Sequence, residues 1–317
     1  MKILVTGIAG FIGSHLAEKM HYMGHEILGL DNFSSYYDIT LKKQNAGGLK
    51  DLGIKIIELD LRVEYLGMAL PTDIDYIFHC AAQPGIASTS KFEDYLSNNV
   101  IATHNLTDFA SQFLNLKMFV NIGTSSIYGV DVFCNEEQMA KPISNYGVTK
   151  LAAEQIVMAH SRLGSFPACS LRLYSVYGSR ERPDKMFSRL IDCALNNKKF
   201  PLFEGSLLHK RSFTHITDII DGIISVIGKE DICNGEVFNI GTEKEYTTSQ
   251  GIQMVEKLLD KKIETLVKPA RSGDQLRTKA IIDKANRLLN YYPTISLERG
   301  VCEQIKWAQT KSVYSTS

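Results

Sequence analysis

Tyr146 and Lys150 stand four residues apart in Asn145-Tyr146-Gly147-Val148-Thr149-Lys150-Leu151-Ala152-Ala153-Glu154, a stretch with helical character. That spacing puts a phenol and an ammonium on one helix face. At ~4 Å and an effective dielectric of about 20 the two interact by about 4 kcal/mol, enough to draw a phenol from about 10 towards neutrality. Tyr146 is then a candidate general base. A surface Tyr/Lys pair has the same spacing, so a second signal is needed, and Thr124-Ser125-Ser126 supplies it directly after an apolar run. Hydroxyls at the carboxyl end of a strand face the crevice where open α/β sheets bind ligands, where they can share a substrate proton with Tyr146.

A second constellation lies at the start of the chain. Gly7, Gly10 and Gly13 form a GxxGxxG run in Thr6-Gly7-Ile8-Ala9-Gly10-Phe11-Ile12-Gly13, between an apolar run and a helical pattern. The missing side chains let the backbone, Phe11 and Ile12 included, approach a pyrophosphate at a helix N-terminus. The next apolar run ends at Asp31-Asn32, where a carboxylate accepts from both hydroxyls of an adenine ribose and repels a 2′-phosphate, so NAD is preferred to NADP. Asp60-Leu61 after the third run either meets the adenine or caps a helix, and Ala81-Ala82 after the fourth leaves room for the cofactor backbone.

Six short apolar runs, at 2–6, 26–30, 55–59, 75–79, 117–121 and 168–172, hold these groups. Helical spacing at 12–23, 95–113, 146–163 and 186–196 falls between or after them. The rhythm predicts an α/β protein, a Rossmann-type doubly wound parallel sheet with right-handed helical crossovers. Residues 1–175 are expected to form the NAD-binding domain, with a segment returning near 214–241. A smaller C-terminal α/β substrate lobe is expected at 176–213 and 242–317, with helices at 217–227, 248–259 and 297–308.

Composition narrows the partners. Thirty-five basic residues balance 35 acidic ones, so nothing concentrates nucleic acid. No stretch approaches the ~20 apolar residues of a membrane span or the core of a signal peptide, which leaves the cytoplasm as the default. Six scattered cysteines fit neither a disulfide framework nor a zinc site, and no metal is expected.

With these pieces in place the chain resembles the extended short-chain dehydrogenase/reductase family, in its nucleotide-sugar epimerase and dehydratase branch. The likeness rests on the glycine run, His79-Cys80-Ala81-Ala82, Asn98-Asn99-Val100, Thr124 to Gly129, Tyr146-x-x-x-Lys150, Arg211-Ser212-Phe213, Phe238-Asn239-Ile240-Gly241 and Arg271-Ser272-Gly273-Asp274. It implies that Tyr146 is the base, Thr124 its hydroxyl partner, and Lys150 the group that binds nicotinamide ribose and tunes Tyr146. Asn99 would order the cofactor-side network, Arg211 and Arg271 would grip the diphosphate, and Asp274 would orient Arg271 or meet the uridine ribose. A homodimer built from the helices at 95–113 and 146–163 is also implied.

The branches share oxidation at C4 and differ in the fate of the 4-keto sugar. Dehydratases of this family carry Asp-Glu after the Thr, and decarboxylating relatives carry Glu where Ser126 stands; this chain has Ser125-Ser126. Simple 4-epimerisation survives. Residues 32–38 with Leu41-Lys42, and Arg180-Glu181-Arg182-Pro183-Asp184, resemble UDP-glucuronate 4-epimerases, in which case Arg182 would hold the sugar carboxylate. Gln83 in 83–87, Ser175, Ser212 and His209-Lys210 depart from that pattern, so UDP-glucose/UDP-galactose or another modified sugar stays open. From a different class, a catalytically silent NAD-binding regulator is the competing reading.

Overall fold

The computed structural model describes residues 1–63, 65–85, 90–270 and 274–310. Seven strands make the main sheet: β1 (Lys2–Thr6), β2 (Glu26–Asp31), β3 (Lys55–Glu58), β4 (Tyr76–His79), β5 (Met118–Thr124), β6 (Ala168–Leu173) and β7 (Val237–Ile240). All are parallel, in the order β3-β2-β1-β4-β5-β6-β7. The doubly wound sheet expected from the sequence is therefore present, with β7 as a seventh strand.

Successive side chains alternate between the two faces. Ile3, Val5, Phe78, Val120 and Leu171 pack on one side, whereas Leu4, Ile77, Phe119 and Ala168 pack on the other. Both faces are covered, which is why the strands read as unbroken apolar runs rather than alternating ones. Each of the large apolar side chains contributes about 1.5–3 kcal/mol by leaving water. Chain order reverses at β1, between its neighbours β2 and β4, and opens a crevice at the carboxyl ends of these strands.

A third core, with Tyr177, Phe187, Leu190, Val255 and Val301, joins the helices Met186–Asn196, Thr248–Leu259 and Leu297–Thr310. Short strands border it, Phe200–Phe203 with Thr265–Lys268, and Lys210–Arg211 within a four-stranded sheet. No helix among the described residues is long and apolar enough to cross a membrane.

Among the elements that went unread in the sequence are the helices Ile39–Asp51 and Asp283–Leu289. The first contains Lys42-Lys43-Gln44-Asn45-Ala46-Gly47-Gly48, a polar stretch with two glycines that lowers helix propensity. Asp38 starts it by accepting from Thr40 N, and Ala46 and Leu49 bury its thin apolar stripe. The helical pattern at 95–113 is also more elaborate than expected. It begins at Phe92, passes through a π-helical turn at Leu96–Ile101 and continues as Ala102–Ala110.

Candidate active site

The glycine run turns directly from β1 into the helix Phe11–Tyr22. Gly7 has φ +67, and a Cβ there would lie 2.7 Å from Ala81 N, so a side chain is excluded by both conformation and space. Gly10 has no side chain to cap the helix, so its first-turn N–H groups are left to a ligand, and Gly10, Phe11, Ile12 and Gly13 line the cleft. These features fit a dinucleotide pyrophosphate.

Asp31, at the end of β2, is 5% exposed. One carboxylate oxygen accepts from Ala9 N at 3.1 Å and the other from Phe33 N at 2.8 Å. An ionised carboxylate has about four acceptor sites, so capacity for ribose hydroxyls remains. Asp60 caps no helix; it forks onto Arg62 and accepts from Asn32 Nδ2 at 3.1 Å, which fixes Asn32 beside Asp31. Leu61, Ala81 and Ala82 line the same end of the cleft. Asn99 does not reach the cleft wall. Buried on the π-helical turn, its amide bonds Gln83 N and O and Thr149 Oγ1, so it braces the wall from behind.

Tyr146 and Lys150 both line the cleft, on the helix Asn145–Arg162. Ser144 caps this helix by accepting from Gly147 N at 3.1 Å. Gly147 lets it approach the turn after β5, since a Cβ there would lie 2.6 Å from Ser126 O. That contact brings Tyr146 to hydrogen-bonding reach of Thr124. Thr124 Oγ1 in turn accepts from Ser126 N at 3.2 Å, and Ser125 and Ser126 complete the wall.

The expected lowering of the phenol by Lys150 is not what the structure gives. Burial pushes Tyr146 above its ordinary value, against the hydrogen bond with Thr124 and the charge of Arg182. Burial likewise lowers Lys150 from 10.5 to about 8, opposed by Cys80 and Glu154. Both charged forms lose water, and an i, i+4 spacing does not by itself repay that loss. The Cys80 thiol is pushed up to about 12 by burial and stays protonated.

Several of the residues expected to meet the substrate also line the cleft. Ser175 holds φ +26, a strained value for a residue with a side chain, and accepts from Thr214 N through its carbonyl at 3.2 Å. Arg211 Nη2 donates to Gln275 O and lies 3.5 Å from Asp274 Oδ1, while Asp274 Oδ2 is 3.8 Å from His209 Nδ1. Arg182 is 7% exposed, and its Nε and Nη2 donate to Asp184 at 2.9 and 2.8 Å. The fork expected to meet a sugar carboxylate is thus engaged by a neighbour in sequence. Gln83 is buried on the cleft wall, and Arg271 lies outside the described residues.

Sequence reasoning missed several groups. Asn45 Nδ2, on the unanticipated helix, donates to Ala9 O at 3.0 Å and steadies the glycine turn. Lys42 Nζ lies 3.9 Å from Asp31 and donates to Ser34 Oγ at 3.0 Å. Tyr95 sits with its ring centroid 6.3 Å from that of Tyr146 and donates to Gly85 O at 2.9 Å. Lys42 stood in a stretch that carried the family likeness but was given no role, and each of the three is brought in by packing from a separate element.

The cleft has a volume of about 530 Å³ and runs unbroken from the glycine turn past Tyr146 to Asp274, within the range that holds cofactors and small substrates. Residues 3–241 match the family model described as NAD dependent epimerase/dehydratase. YtcB of Bacillus subtilis, an uncharacterized UDP-glucose epimerase, is 35% identical over 97% of this chain and 98% of its own length. UDP-glucuronate 4-epimerase 4 of Arabidopsis thaliana is 30% identical over 96% of this chain and 74% of its own. The crystal structure of UDP-glucuronic acid 4-epimerase from Bacillus cereus with UDP-glucuronic acid and NAD superposes with a TM-score of 0.92, at 34% identity, covering 98% of this chain and 99% of that one. With the cleft, its glycine turn and its Thr-Tyr-Lys wall on one parallel sheet, the chain belongs to the NAD dependent epimerase/dehydratase family.

Proposed function

We propose that the chain interconverts UDP-glucuronate and UDP-galacturonate by epimerisation at C4. The observation that carries this reading is the single cleft that holds the dinucleotide cradle, the Thr124/Tyr146/Lys150 wall and the Arg182 and Arg211 guanidinium groups together. NAD bound along the glycine turn supplies the hydride acceptor for C4 and then its donor.

The chain's own residues do the rest. Tyr146 Oη takes the C4 hydroxyl proton and returns it, and Thr124, close to that phenol on the cleft wall, steadies it in both states. Lys150, buried one turn further along, meets the nicotinamide ribose and lends positive charge as the phenol ionises. Because Ser125 and Ser126 follow Thr124, no carboxyl group stands there to drive elimination across C5 and C6. Arg211, oriented by Asp274 and Gln275, is placed for the diphosphate. A 4-keto uronate is a β-keto acid, so its carboxylate must be held while the ring turns over; Arg182 supplies a rigid partner.

One observation favours a second reading, 4-epimerisation of UDP-glucose and UDP-galactose: the engagement of Arg182 by Asp184 takes up the fork a carboxylate would use. Proton NMR of the protein with each UDP-sugar separates the two. UDP-galacturonate is expected from UDP-glucuronate without added NAD and without NADH accumulating, and Tyr146→Phe is expected to slow it by at least about 100-fold. Product from UDP-glucose alone would establish the second reading, and no product from either would favour a silent NAD-binding protein.

A further inference from the structure

His79 ends β4, just before Cys80 and Ala81 of the cleft wall, and is 1% exposed. Its Nδ1 lies 2.8 Å from Thr6 Oγ1 and its Nε2 lies 2.9 Å from Thr103 Oγ1. Thr6, Asn99, Thr103 and Thr149 are just as deeply buried.

The directions of these hydrogen bonds follow from one fixed end. Asn99 O can only accept, and Thr103 Oγ1 stands 2.6 Å from it, so the Thr103 proton points there. Thr103 then accepts from His79, which must carry its proton on Nε2. Nδ1 is left with a lone pair, so Thr6 donates to it and in turn accepts from Ala81 N at 3.2 Å. Burial, reinforced by the charge of Lys150, lowers the imidazole from 6.5 to about 3 and keeps it neutral.

The chain continues through the side chain of Asn99. Its Oδ1 accepts from Gln83 N at 2.7 Å, and its Nδ2 donates to Gln83 O at 3.3 Å and to Thr149 Oγ1 at 3.0 Å. Thr149 precedes Lys150 on the helix Asn145–Arg162 and donates to Asn145 O at 2.8 Å. At the other end Thr6 precedes Gly7, where a Cβ would lie 2.7 Å from the same Ala81 N. One neutral histidine therefore joins the turn that takes the cofactor to the helix that carries Tyr146 and Lys150.

Resting on the reading of Tyr146 and Lys150 given above, we infer that His79 is a positioning residue for the reaction. As the Nε2–H tautomer it holds the catalytic helix in register with the cofactor cradle, through Thr6 on one side and through Thr103 and Asn99 on the other. Hydride transfer and proton transfer at C4 need the nicotinamide and Tyr146 placed together, and a misplacement of about 1 Å costs up to about 100-fold in rate.

The test is Thr103→Val, which deletes the hydroxyl and keeps the shape. With the UDP-sugar that NMR shows to be turned over, and well below the melting temperature, kcat is expected to fall about tenfold, with KM within about threefold of its usual value and the bound NAD retained. Thr103→Ser returns the hydroxyl and is expected to restore kcat to within about twofold. If Thr103→Val does not fold, Thr6→Val breaks the chain at its other end and carries the same expectation, with Thr6→Ser as its rescue. Long-range proton–nitrogen NMR of histidine-labelled protein, with the His79 signal assigned by its loss in His79→Gln, is expected to show the Nε2–H tautomer. The Nδ1–H tautomer overturns the proposal, as does a folded Val variant with a lower melting temperature and an unchanged kcat. Failure of the Tyr146 reading looks different: Tyr146→Phe keeps its turnover while Thr103→Val still loses it. Turnover of no UDP-sugar overturns both.

Discussion

Lys150 illustrates how a residue suited to a reaction works against the fold that holds it. An unfolded chain keeps the ammonium up to pH 10.5, whereas the folded chain keeps it only up to about 8, because burial disfavours the charge. Between those values the unfolded state binds the extra proton, so stability falls as pH drops from 10.5 to about 8, and the whole penalty persists below that. The gap is worth about 3 kcal/mol. Lys150→Met keeps the stem and removes the charge. With cofactor stripped from both proteins, the variant is expected to gain up to about 3 kcal/mol in urea unfolding at pH 7 and progressively less towards pH 10, while turnover falls at least about 100-fold. A gain equal at both pH values would show that the ammonium carries no such penalty. Tyr146 belongs to the same account, since its phenol is also driven towards neutrality by burial and depends on Thr124 and on the occupied cleft to ionise.

At the scale of elements, the catalytic helix is fastened to the sheet by a buried polar network. Arg172 on β6 donates through Nε and Nη2 to Glu154 at 2.9 and 2.6 Å, with side-chain exposures of 7% and 1%. Ser170 Oγ donates to the same carboxylate at 2.9 Å and accepts from Asn121 Nδ2 on β5 at 2.9 Å, and Arg172 Nη1 reaches Tyr128 Oη at 2.6 Å. Glu154 lies one turn beyond Lys150, so the network sets the height of the Tyr146/Lys150 face against Thr124. Removing one partner leaves a buried charge alone, and Arg172→Met is expected to cost about 3–5 kcal/mol in thermal or urea unfolding. The double variant Arg172→Met/Glu154→Leu should recover much of that loss, because no uncompensated charge remains. A double variant as unstable as the single one would show that packing, not charge burial, is at stake.

At the scale of the whole molecule, the paired helices carry exposed apolar residues. Phe92, Leu96, Ile101 and Val148 are 41%, 37%, 42% and 45% exposed, on the helical stretches from Phe92 to Ala110 and on Asn145–Arg162. These elements pack on each other directly behind Tyr146, and we propose that their outer apolar residues meet those of a second copy. Light scattering at micromolar concentration is expected to give a dimer mass, and the pair Leu96→Glu with Val148→Glu a monomer that still melts cooperatively. A monomer mass for the unaltered protein would remove the proposal.

What the sequence determined by itself is local or periodic. Unbroken apolar runs of strand length can satisfy themselves only inside a covered parallel sheet, the glycine spacing dictates a turn with no room for side chains, and an i, i+4 pair must share a helix face. The family was legible on the same grounds, because Thr124 to Gly129 and Tyr146-x-x-x-Lys150 each fall within one element and the turn beside it. Only the tertiary structure decided what happens between elements. It turned Asn99 into a brace behind the wall, brought Lys42 and Asn45 from an unread helix to Asp31 and the glycine turn, and engaged Arg182 with Asp184. It also reversed the expected direction of the Tyr146 shift. Spacing along a chain says which groups can meet, whereas the loss of water around them, which sets their charge, depends on everything the fold packs against them.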